Sequence, residues 1–271
     1  MSTHGFFAYA RERYRIKLRR DEGKPKPWTT DPVLQQFRFC HIFREDDKTT
    51  VWFRENVRDP LRNDPFKVTL ATIGFRWFNL ISTGERIKDI LLAEGWNSIK
   101  VRKRLVGVRP LITGAYMVRS PYGVNKLDGL LQYMDQLPYP ALLQQPTLQA
   151  AHAILAASPG QGDFTAYEVI TDLRYTCVLE HATDIMTWAS PGPGAARGLE
   201  WIYGRKFSRS SARGIQEQVE LMRRLLEHST KPAFWSKTWP AWDMRTVEHT
   251  LCEYDKYRRG QVGGKLKRRY T

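Results

Sequence analysis

Two glycine-rich turns are the parts of this sequence whose residue types and spacing best suit chemistry on a phosphate. The first is Pro159-Gly160-Gln161-Gly162, and the second, from Ser190 to Arg197, reads SPGPGAAR. A glycine-rich turn that opens a helix leaves backbone N–H groups of the first helical turn unpaired, and the positive end of the helix dipole strengthens their attraction for an anion. The residues expected to hold a phosphate in the second turn are Gly192, Gly194, Ala195 and Arg197.

Carboxylates near these turns indicate catalysis rather than DNA binding alone. Asp163, Glu168, Asp172 and Asp184 all lie between the two turns. A surface that only binds DNA gains nothing from carboxylates beside a polyanion, because like charges repel each other. A carboxylate can instead accept the proton of an attacking amine. This pattern therefore favours an enzyme over a binding module.

Helices must position these turns, because apolar residues recur at helical spacing on both sides of the first one. Leu148 to Leu155 precede the turn and Phe164 to Leu173 follow it, which predicts a helix, a tight hairpin and a second helix. The residue types from Ser82 to Glu85 are those of a helix cap, so a helix is expected to start near Thr83. Other helices are expected over 6–20, 126–134, 215–228 and 247–256, with a cap at Thr147 and a charged helix pair from Pro32 to Val57.

The overall charge indicates a polyanionic partner. Lysine and arginine number 43 against 28 aspartates and glutamates, a formal net charge of +15. Nucleic acid fits better than a membrane, because no stretch approaches the ~20 apolar residues of a spanning helix and no signal peptide opens the chain. The basic helix over 6–20 either faces DNA or is a solvated face above a core stripe. The residues expected to contact DNA are Gly160, Gly162, Arg11, Arg15, Arg205, Lys206, Lys256 and Lys267, the last in a basic tail held only by phosphate attraction.

The cysteines and the glycine patterns argue against other classes of protein. Cys40, Cys177 and Cys252 are far apart and form no Cys-x-x-Cys pair, so neither a zinc site nor a disulfide framework is predicted, and a reducing cytoplasm is expected. No Gly-x-x-x-x-Gly-Lys-Ser/Thr motif occurs, which disfavours a P-loop kinase. We therefore expect neither a metal nor a cofactor.

Blocks along nearly the whole chain carry a resemblance to known DNA-modifying proteins. The PGxGxFxAY pattern from Pro159 resembles the hairpin of helix-hairpin-helix DNA glycosylases, whose catalytic aspartate follows the hairpin as Asp184 follows Gly162 here. Read with YARERYRIKLRR, QFRFCHIFREDDKTTVW, GPGAARGLEWI and EHTLCEYDKYRRG, the chain resembles the phage amino acid:DNA transferases of thymidine hypermodification, also named α-glutamyl/putrescinyl-thymine pyrophosphorylases. The same blocks resemble the helical domain attached to some 5-hydroxymethyluracil DNA kinases.

The resemblance implies a fold and a reaction. The fold would be mainly α, a helix-hairpin-helix DNA-glycosylase-like single domain over 1–271 with basic arms at 1–30 and 260–271. The protein would replace the phosphate of 5-phosphomethyl-deoxyuridine in phage DNA with the amine of a small amino acid, glycine first and serine next. It would act in the cytoplasm of the infected bacterium and protect the genome from host restriction. Its partners would be that DNA, the free amino acid and a 5-hydroxymethyluracil DNA kinase.

The resemblance also implies roles for single residues. Asp184 would accept the proton of the amine, with Asp172 and Glu168 behind it. The backbone N–H groups from Gly192 onwards, with the charge of Arg197, would hold the phosphate as it leaves. The charged segment QFRFCHIFRE, read either as a structural ion-pair network or as part of the site, would add Arg44 to the phosphate-binding residues.

Three alternatives to this mechanism and function remain open at the level of sequence. A cysteine, Cys177 or Cys252, could add to the pyrimidine ring and help to expel the phosphate, although a cysteine on an apolar helix is more often part of the core. The chain could be a non-catalytic DNA-binding partner of a kinase. It could also be a DNA glycosylase, which the spacing of Asp184 favours.

Overall fold

The structure of the protein, a computed structural model, describes residues 3–113, 118–267 and 269–270. Within these residues the regular structure is helical, and β pairing is limited to one bridge between Phe37 and Arg269. The prediction of a mainly α fold is confirmed. No helix in the described ranges is long and apolar enough to cross a membrane. Arg268 of the predicted basic tail lies outside the described residues.

The chain forms two compact units, which we call the terminal unit and the central unit. The terminal unit comprises Met1–Asp47 and Met186–Thr271, and the central unit comprises Lys48–Ile185. A single domain with basic arms remains a prediction. The helices in chain order are α1 (Thr3–Asp21), α2 (Pro32–Gln36), α3 (Lys48–Phe53), α4 (Pro65–Phe78), α5 (Ile81–Glu94), α6 (Ser98–Leu105), α7 (Lys126–Met134), α8 (Tyr139–Leu142), α9 (Leu148–Ala156), α10 (Asp163–Leu173), α11 (Pro193–Tyr203), α12 (Ala212–Ser229) and α13 (Met244–Gln261).

Two helices of the terminal unit touch backbone to backbone. Gly194 and Gly198 lie one turn apart on the face of α11 that packs on α13. A Cβ atom at Gly194 would lie 2.4 Å from Sγ of Cys252, and one at Gly198 would lie 2.4 Å from the backbone oxygen of Leu251. These distances leave no room for a side chain, so the two glycines set the separation of the helices.

The rest of the terminal core is largely aromatic. The ring of Phe6 on α1 lies 5.9 Å from that of Trp242, and the ring of Tyr9 lies 4.8 Å from that of Tyr257 on α13. Rings at these separations bury large apolar areas and attract each other through their quadrupoles. The apolar side of α1 is therefore its docking surface, which fits the core stripe that is one of the two alternatives for residues 6–20.

The central unit contains the predicted helix-hairpin-helix, formed by α9 and α10. Gly160 adopts a φ of +74°, which disfavours any residue with a Cβ, and a Cβ there would lie 2.2 Å from the ring of Tyr133. Gly162 caps α10: its N–H donates to Oγ1 of Thr165 at 3.1 Å, and this hydroxyl lies 3.2 Å from the carbonyl oxygen of Gly162. Conformation and close packing thus both require a glycine at Gly160, whereas the task of Gly162 is the cap.

Several other helices agree with the sequence prediction because their signals are local. The hydroxyl of Thr147 accepts the N–H of Ala150 at 3.1 Å and caps α9. Asn125 caps α7 in the same way, with its side chain accepting the N–H of Asp128 at 3.0 Å. α1, α7, α12 and α13 cover the predicted ranges 6–20, 126–134, 215–228 and 247–256.

The predicted start of α5 near Thr83 is confirmed to within two residues, but the predicted cap from Ser82 to Glu85 is wrong. The helix begins at Ile81, and its N-cap residue, Leu80, makes no side-chain capping bond. The hydroxyl of Thr83 donates instead to the backbone oxygen of Leu111 at 2.9 Å. A buried hydroxyl needs a partner, and here a tertiary partner replaces the local one.

The charged helix pair expected from Pro32 to Val57 is confirmed at its two ends, where α2 and α3 lie, and is wrong between them. α2 ends at Gln36, and the chain from there to Phe43 contains no helix. The reason is Arg13, a fully buried residue of α1. Its Nε donates to the carbonyl oxygen of Cys40 at 3.0 Å and its Nη2 to that of Phe39 at 3.1 Å. These carbonyl groups are satisfied by a guanidinium instead of by helical N–H groups.

Candidate functional site

Two of the predicted catalytic carboxylates lie on the buried face of α10 in the central unit. Glu168 and Asp172 are four residues apart, so they occupy one face of the helix, and their exposed fractions are 3% and 0%. α10 follows the glycine hairpin directly, so the hairpin fixes the position of both side chains. A buried carboxylate must be paired or hydrogen-bonded, because an isolated buried charge is very costly.

Asp172 is held by two arginines. Nε of Arg76 donates to Oδ2 at 2.5 Å and Nη2 donates to Oδ1 at 2.9 Å, while Nη1 of Arg58 lies 3.6 Å from Oδ1. The guanidinium of Arg76 also lies over the ring of Phe53, 5.2 Å from its centroid. Both oxygens of Asp172 accept from a guanidinium, so this geometry suits Asp172 to orienting the arginines better than to receiving a substrate proton.

Asp184, the predicted general base, caps the hairpin's first helix. Its Oδ1 accepts the N–H of Leu148 at 2.7 Å and its Oδ2 accepts that of Gln149 at 2.9 Å. With the cap from Thr147, the first N–H groups of α9 are satisfied. The carboxylate of Asp184 therefore has a fixed orientation and a structural task in addition to any catalytic one.

The predicted phosphate-binding turn forms the amino-terminal end of α11 in the terminal unit. Gly192 is the N-cap residue, and Pro193 is the first helical residue. The first intrahelical bond runs from the N–H of Ala196 to the carbonyl oxygen of Gly192, at 3.0 Å. The N–H groups of Gly194 and Ala195 come before this bond, at the positive end of the helix dipole. This end of α11 is suited to bind an anion.

A buried ion pair lies beside this turn. Nη1 of Arg245 donates to Oε2 of Glu248 at 2.8 Å, and the two residues are 6% and 7% exposed. A Cβ atom built on Gly192 would lie 3.6 Å from Oε1 of Glu248. A cation, a carboxylate and a helix N-terminus are thus neighbours. The arrangement combines an anion-binding element with a proton acceptor, and we call it the α11 site.

Arg197 is held by a buried carboxylate. Its Nε and Nη2 lie 3.0 and 2.9 Å from Oδ2 of Asp255, which also accepts a hydrogen bond from Arg259, while Oδ1 accepts one from Trp201. Two arginines share one carboxylate, so the group keeps a net positive charge, and both guanidinium side chains are 41% exposed. Arg44, the other predicted phosphate ligand, is buried at the start of a short 3₁₀ helix.

The two cysteines considered as nucleophiles are in their thiol forms at neutral pH. Cys252 is exposed as a residue, but the protein packed around its sulfur and the nearby Glu248 raise the pKa of the thiol far above its ordinary value. Partial burial and the charge of Glu180 also raise the pKa of Cys177. A thiol reacts through its thiolate, so neither environment activates a nucleophile.

The basic residues predicted to contact DNA fall into two groups. The first group, Arg11 and Lys256, binds backbone oxygens of the terminal unit. Nη1 of Arg11 donates to the carbonyl oxygens of Ala233 and Phe234, at 3.0 and 2.9 Å. Nζ of Lys256 donates to the carbonyl oxygen of Arg38, at 2.5 Å. The exposed group consists of Arg15, Arg205, Lys206 and Lys267, of which Arg205 pairs with Glu217 and Lys206 with Glu200.

The sequence suggests that phosphate attraction alone holds the basic tail. In the structure, the tail also contacts the protein itself. The N–H of Tyr270 donates to the carbonyl oxygen of Gln36 at 2.9 Å, next to the bridge between Arg269 and Phe37. The guanidinium of Arg269 also lies over the ring of Phe37, 5.3 Å from its centroid. These contacts fix the end of the described chain against α2.

Sequence reasoning missed the buried arginines of both units. Arg58, Arg76 and Arg245 each contact a predicted or neighbouring carboxylate, yet none was selected. A signal existed for Arg76, which interrupts the apolar run GFRWF of α4. An arginine inside an apolar helix must find a buried partner, and here the partner is Asp172.

Three potential metal ligands also meet in the terminal unit, although no metal site was expected. One donor atom from each of Cys40, Asp47 and His249 lies within 4.8 Å of the other two. Burial raises the pKa of Asp47 to about 7, against the lowering effect of the His41 N–H that it accepts. More than 200 residues of sequence separate His249 from Cys40. Such a long separation hides the cluster from any spacing rule.

Comparisons with known proteins point to phage DNA modification. The family described as the helical domain of 5-hmdU DNA kinases matches residues 2–265. A 5-hmdU DNA kinase of Bacillus phage SP10 is 24% identical over 284 aligned positions, which cover 93% of this chain and 44% of the kinase. The chain thus spans less than half the length of that relative. No solved structure was found to match it.

Proposed function

Because the chain belongs to the family of 5-hmdU DNA kinase helical domains, we propose that it acts on phage DNA in which 5-hydroxymethyl-deoxyuridine has been phosphorylated. The proposed reaction replaces the phosphate of 5-phosphomethyl-deoxyuridine with the amine of a small amino acid, glycine first and serine next. The chain lacks a P-loop motif, so the phosphorylation itself is assigned to a separate kinase activity.

The α11 site is the observation that carries this proposal. A leaving phosphate needs donors arranged in advance for its developing charge, and the N–H groups of Gly194 and Ala195 at a helix N-terminus supply them. An attacking amine needs a proton acceptor, and the carboxylate of Glu248 lies against the same turn. Simple binding to backbone phosphates would not require a buried carboxylate at that position.

The proposed reaction is a nucleophilic displacement at the exocyclic methylene carbon. The modified base is flipped out of the helix, at a cost of about a few kcal/mol. The amine nitrogen forms the new C–N bond, and the C–O bond breaks with its electron pair leaving on inorganic phosphate. Glu248 takes the amine proton in the α11 site, and Asp184, with Glu168 behind it, is the alternative acceptor that the sequence indicates. Arg197 and Arg44 add positive charge for the phosphate.

The decisive experiment offers the purified protein a DNA duplex that carries 5-phosphomethyluracil, together with glycine or serine. After digestion to nucleosides, mass spectrometry should detect the amino-acid adduct, and inorganic phosphate should appear in equal amount. DNA that carries 5-hydroxymethyluracil is the control and should remain unchanged, because hydroxide is a far poorer leaving group than phosphate. Free base and abasic sites would instead identify a glycosylase.

A second function is favoured by the family match itself, which names a helical domain of a kinase. In that case the chain binds DNA and assists a 5-hmdU DNA kinase without chemistry of its own. The same assay separates the two functions, since a partner of this kind would leave the nucleosides unchanged and would raise the rate at which an added kinase phosphorylates 5-hydroxymethyluracil DNA.

A further inference from the structure

We propose that Cys40, Asp47 and His249 form a binding site for a zinc-like divalent cation in the terminal unit. One donor atom from each residue lies within 4.8 Å of the others. The three donors are a thiol sulfur, an imidazole nitrogen and a carboxylate oxygen, which are the ligand types of zinc in proteins. This site goes beyond the proposed transfer reaction and does not depend on it.

The segment that carries Cys40 is fixed from two directions. Arg13 donates to the carbonyl oxygens of Cys40 and Phe39, so the backbone is anchored to α1. The N–H of Cys40 donates to Oε2 of Glu253 on α13, at 2.9 Å. The thiol therefore sits on a backbone that is attached to both helices, which lowers the entropic cost of bringing it to a ligand position.

Hydrogen bonds with the backbone of His41 orient the side chains of Asp47 and His249 towards each other. Oδ1 of Asp47 accepts the N–H of His41 at 2.9 Å, which leaves Oδ2 on the side of His249, 3.6 Å from its Nε2. His249 lies on α13, and its Nε2 donates to the carbonyl oxygen of His41 at 3.1 Å. A cation at this position would replace that hydrogen bond and would take Nε2 as its ligand.

The donor set selects the kind of cation. Magnesium and calcium prefer oxygen ligands only, whereas a site with sulfur and nitrogen favours zinc and similar transition metals. Zinc bonds of about 2.0–2.3 Å require any donor atoms that lie as much as 4.8 Å apart to draw closer. Three protein ligands leave one tetrahedral position for water. Binding releases the proton of the thiol, whereas the imidazole stays neutral because its proton moves from Nε2 to Nδ1.

Such a cation would join two parts of the terminal unit that are distant in sequence. Cys40 and Asp47 belong to the segment between α2 and α3, and His249 follows Glu248 directly on α13. A metal cross-link of this kind stabilises the folded state, because the unfolded chain does not present the ligands together. The metal would thereby also hold the helix that carries the α11 site's carboxylate.

The test uses the whole 271-residue chain without a tag, stripped of metal with a chelator and then titrated with Zn²⁺ and, separately, with Co²⁺. We expect one equivalent of zinc to remain after desalting, a higher melting temperature with zinc, and a thiolate-to-cobalt charge-transfer absorption. Cys40→Ser should lose the absorption and weaken zinc binding by about tenfold or more, and His249→Gln should weaken binding similarly. The matched controls Cys177→Ser and His181→Gln, in the central unit, should behave as wild type.

Two results would overturn the proposal. The first is a wild-type protein that retains no zinc and whose melting temperature is unchanged by it. The second is binding that survives Cys40→Ser and His249→Gln but is lost in a control variant. Circular dichroism of the stripped proteins guards against misfolding, because a variant that keeps the wild-type helical signal without metal reports on the site and not on the fold.

Discussion

At the scale of single residues, the interior of the central unit is organised by a charged group and not by apolar packing alone. Arg76 and Asp172 are both almost completely buried and bind each other through two hydrogen bonds. Desolvation makes such a pair a weak source of net stability, but losing one partner leaves an uncompensated buried charge. Removing one partner should therefore destabilise the protein by more than the intact pair stabilises it.

We expect Arg76→Met to lower the free energy of unfolding by about 3–5 kcal/mol, because it leaves the carboxylate of Asp172 inside the protein with much less compensation. Urea denaturation followed by circular dichroism measures this change. Arg62→Met is the matched control. Arg62 pairs with Glu180 at 2.6 Å, but the two side chains are 52% and 26% exposed, so its loss should cost at most about 1 kcal/mol. Equal losses in the two variants would contradict the argument.

A second prediction at this scale concerns the proton acceptor. Glu248→Gln keeps the size of the side chain and removes its basic oxygen, so amine transfer should fall about a hundredfold or more while binding of modified DNA persists. Higher pH should restore part of the rate, because more of the free amine is then already neutral. Single-turnover kinetics with 5-phosphomethyluracil DNA measures both effects.

Asp184→Asn is the companion variant for this measurement. An asparagine retains one oxygen that can accept an N–H group from the end of α9, so the fold should survive. We expect a smaller loss of rate than in Glu248→Gln. The reverse order would move the proton acceptor to Asp184 and support the analogy with glycosylases.

At the scale of elements, the contact between α11 and α13 positions the proposed site. Gly194 and Gly198 let the two helices approach so closely that the start of α11 lies against side chains of α13. Gly194, which belongs to the phosphate-binding turn predicted from the sequence, is therefore also a packing residue. Its two roles are compatible, because packing uses the space of a missing side chain and anion binding uses the backbone N–H group.

Alanine substitutions should destabilise the protein to different extents at the two glycines. A methyl group at Gly198 would meet the backbone oxygen of Leu251, which cannot move without shifting α13, so we expect a loss of about 1–3 kcal/mol of stability. At Gly194 it would meet Sγ of Cys252, a side-chain atom that can rotate away. Gly194→Ala should therefore cost less in thermal or chemical denaturation. If Gly194→Ala costs as much stability as Gly198→Ala or more, contact with the backbone of α13 does not decide which of the two positions is more sensitive.

At the scale of the whole molecule, a net charge of +15 makes salt-dependent binding of DNA the expected behaviour. Ion pairs within the protein already engage many of the basic side chains, Arg205 and Lys206 among them. The affinity should therefore come from fewer phosphate interactions than the charge alone suggests. The slope of log K against log salt measures how many phosphates the protein neutralises.

The lysines of the basic tail provide a test of this expectation. Replacing Lys265 and Lys267 with glutamine should lower that slope by roughly one for each phosphate that the tail no longer neutralises. Substitution is preferable to deletion, because residues 269–270 are attached to the end of α2. The double lysine-to-arginine variant preserves the charge and should bind as wild type does. An unchanged slope in the glutamine variant would show that the tail does not touch DNA.

The sequence by itself determined the parts of this protein that depend on neighbouring residues. The hairpin follows from Gly160 and Gly162, and the cap at Thr147 acts within three residues. Helical periodicity and capping are local properties, so they can be read from a short window. The charge, which indicates a polyanionic partner, is likewise a property of composition.

Only the tertiary structure decided which polar groups meet. Asp184 was selected for catalysis by its distance from the hairpin, but its carboxylate also caps α9, from beyond α10. Arg76 and Asp172 are 96 residues apart, and Cys40 and His249 are further apart still. A buried charge or hydroxyl must find a partner somewhere, but its own sequence neighbourhood does not specify where, because packing of distant helices selects that partner.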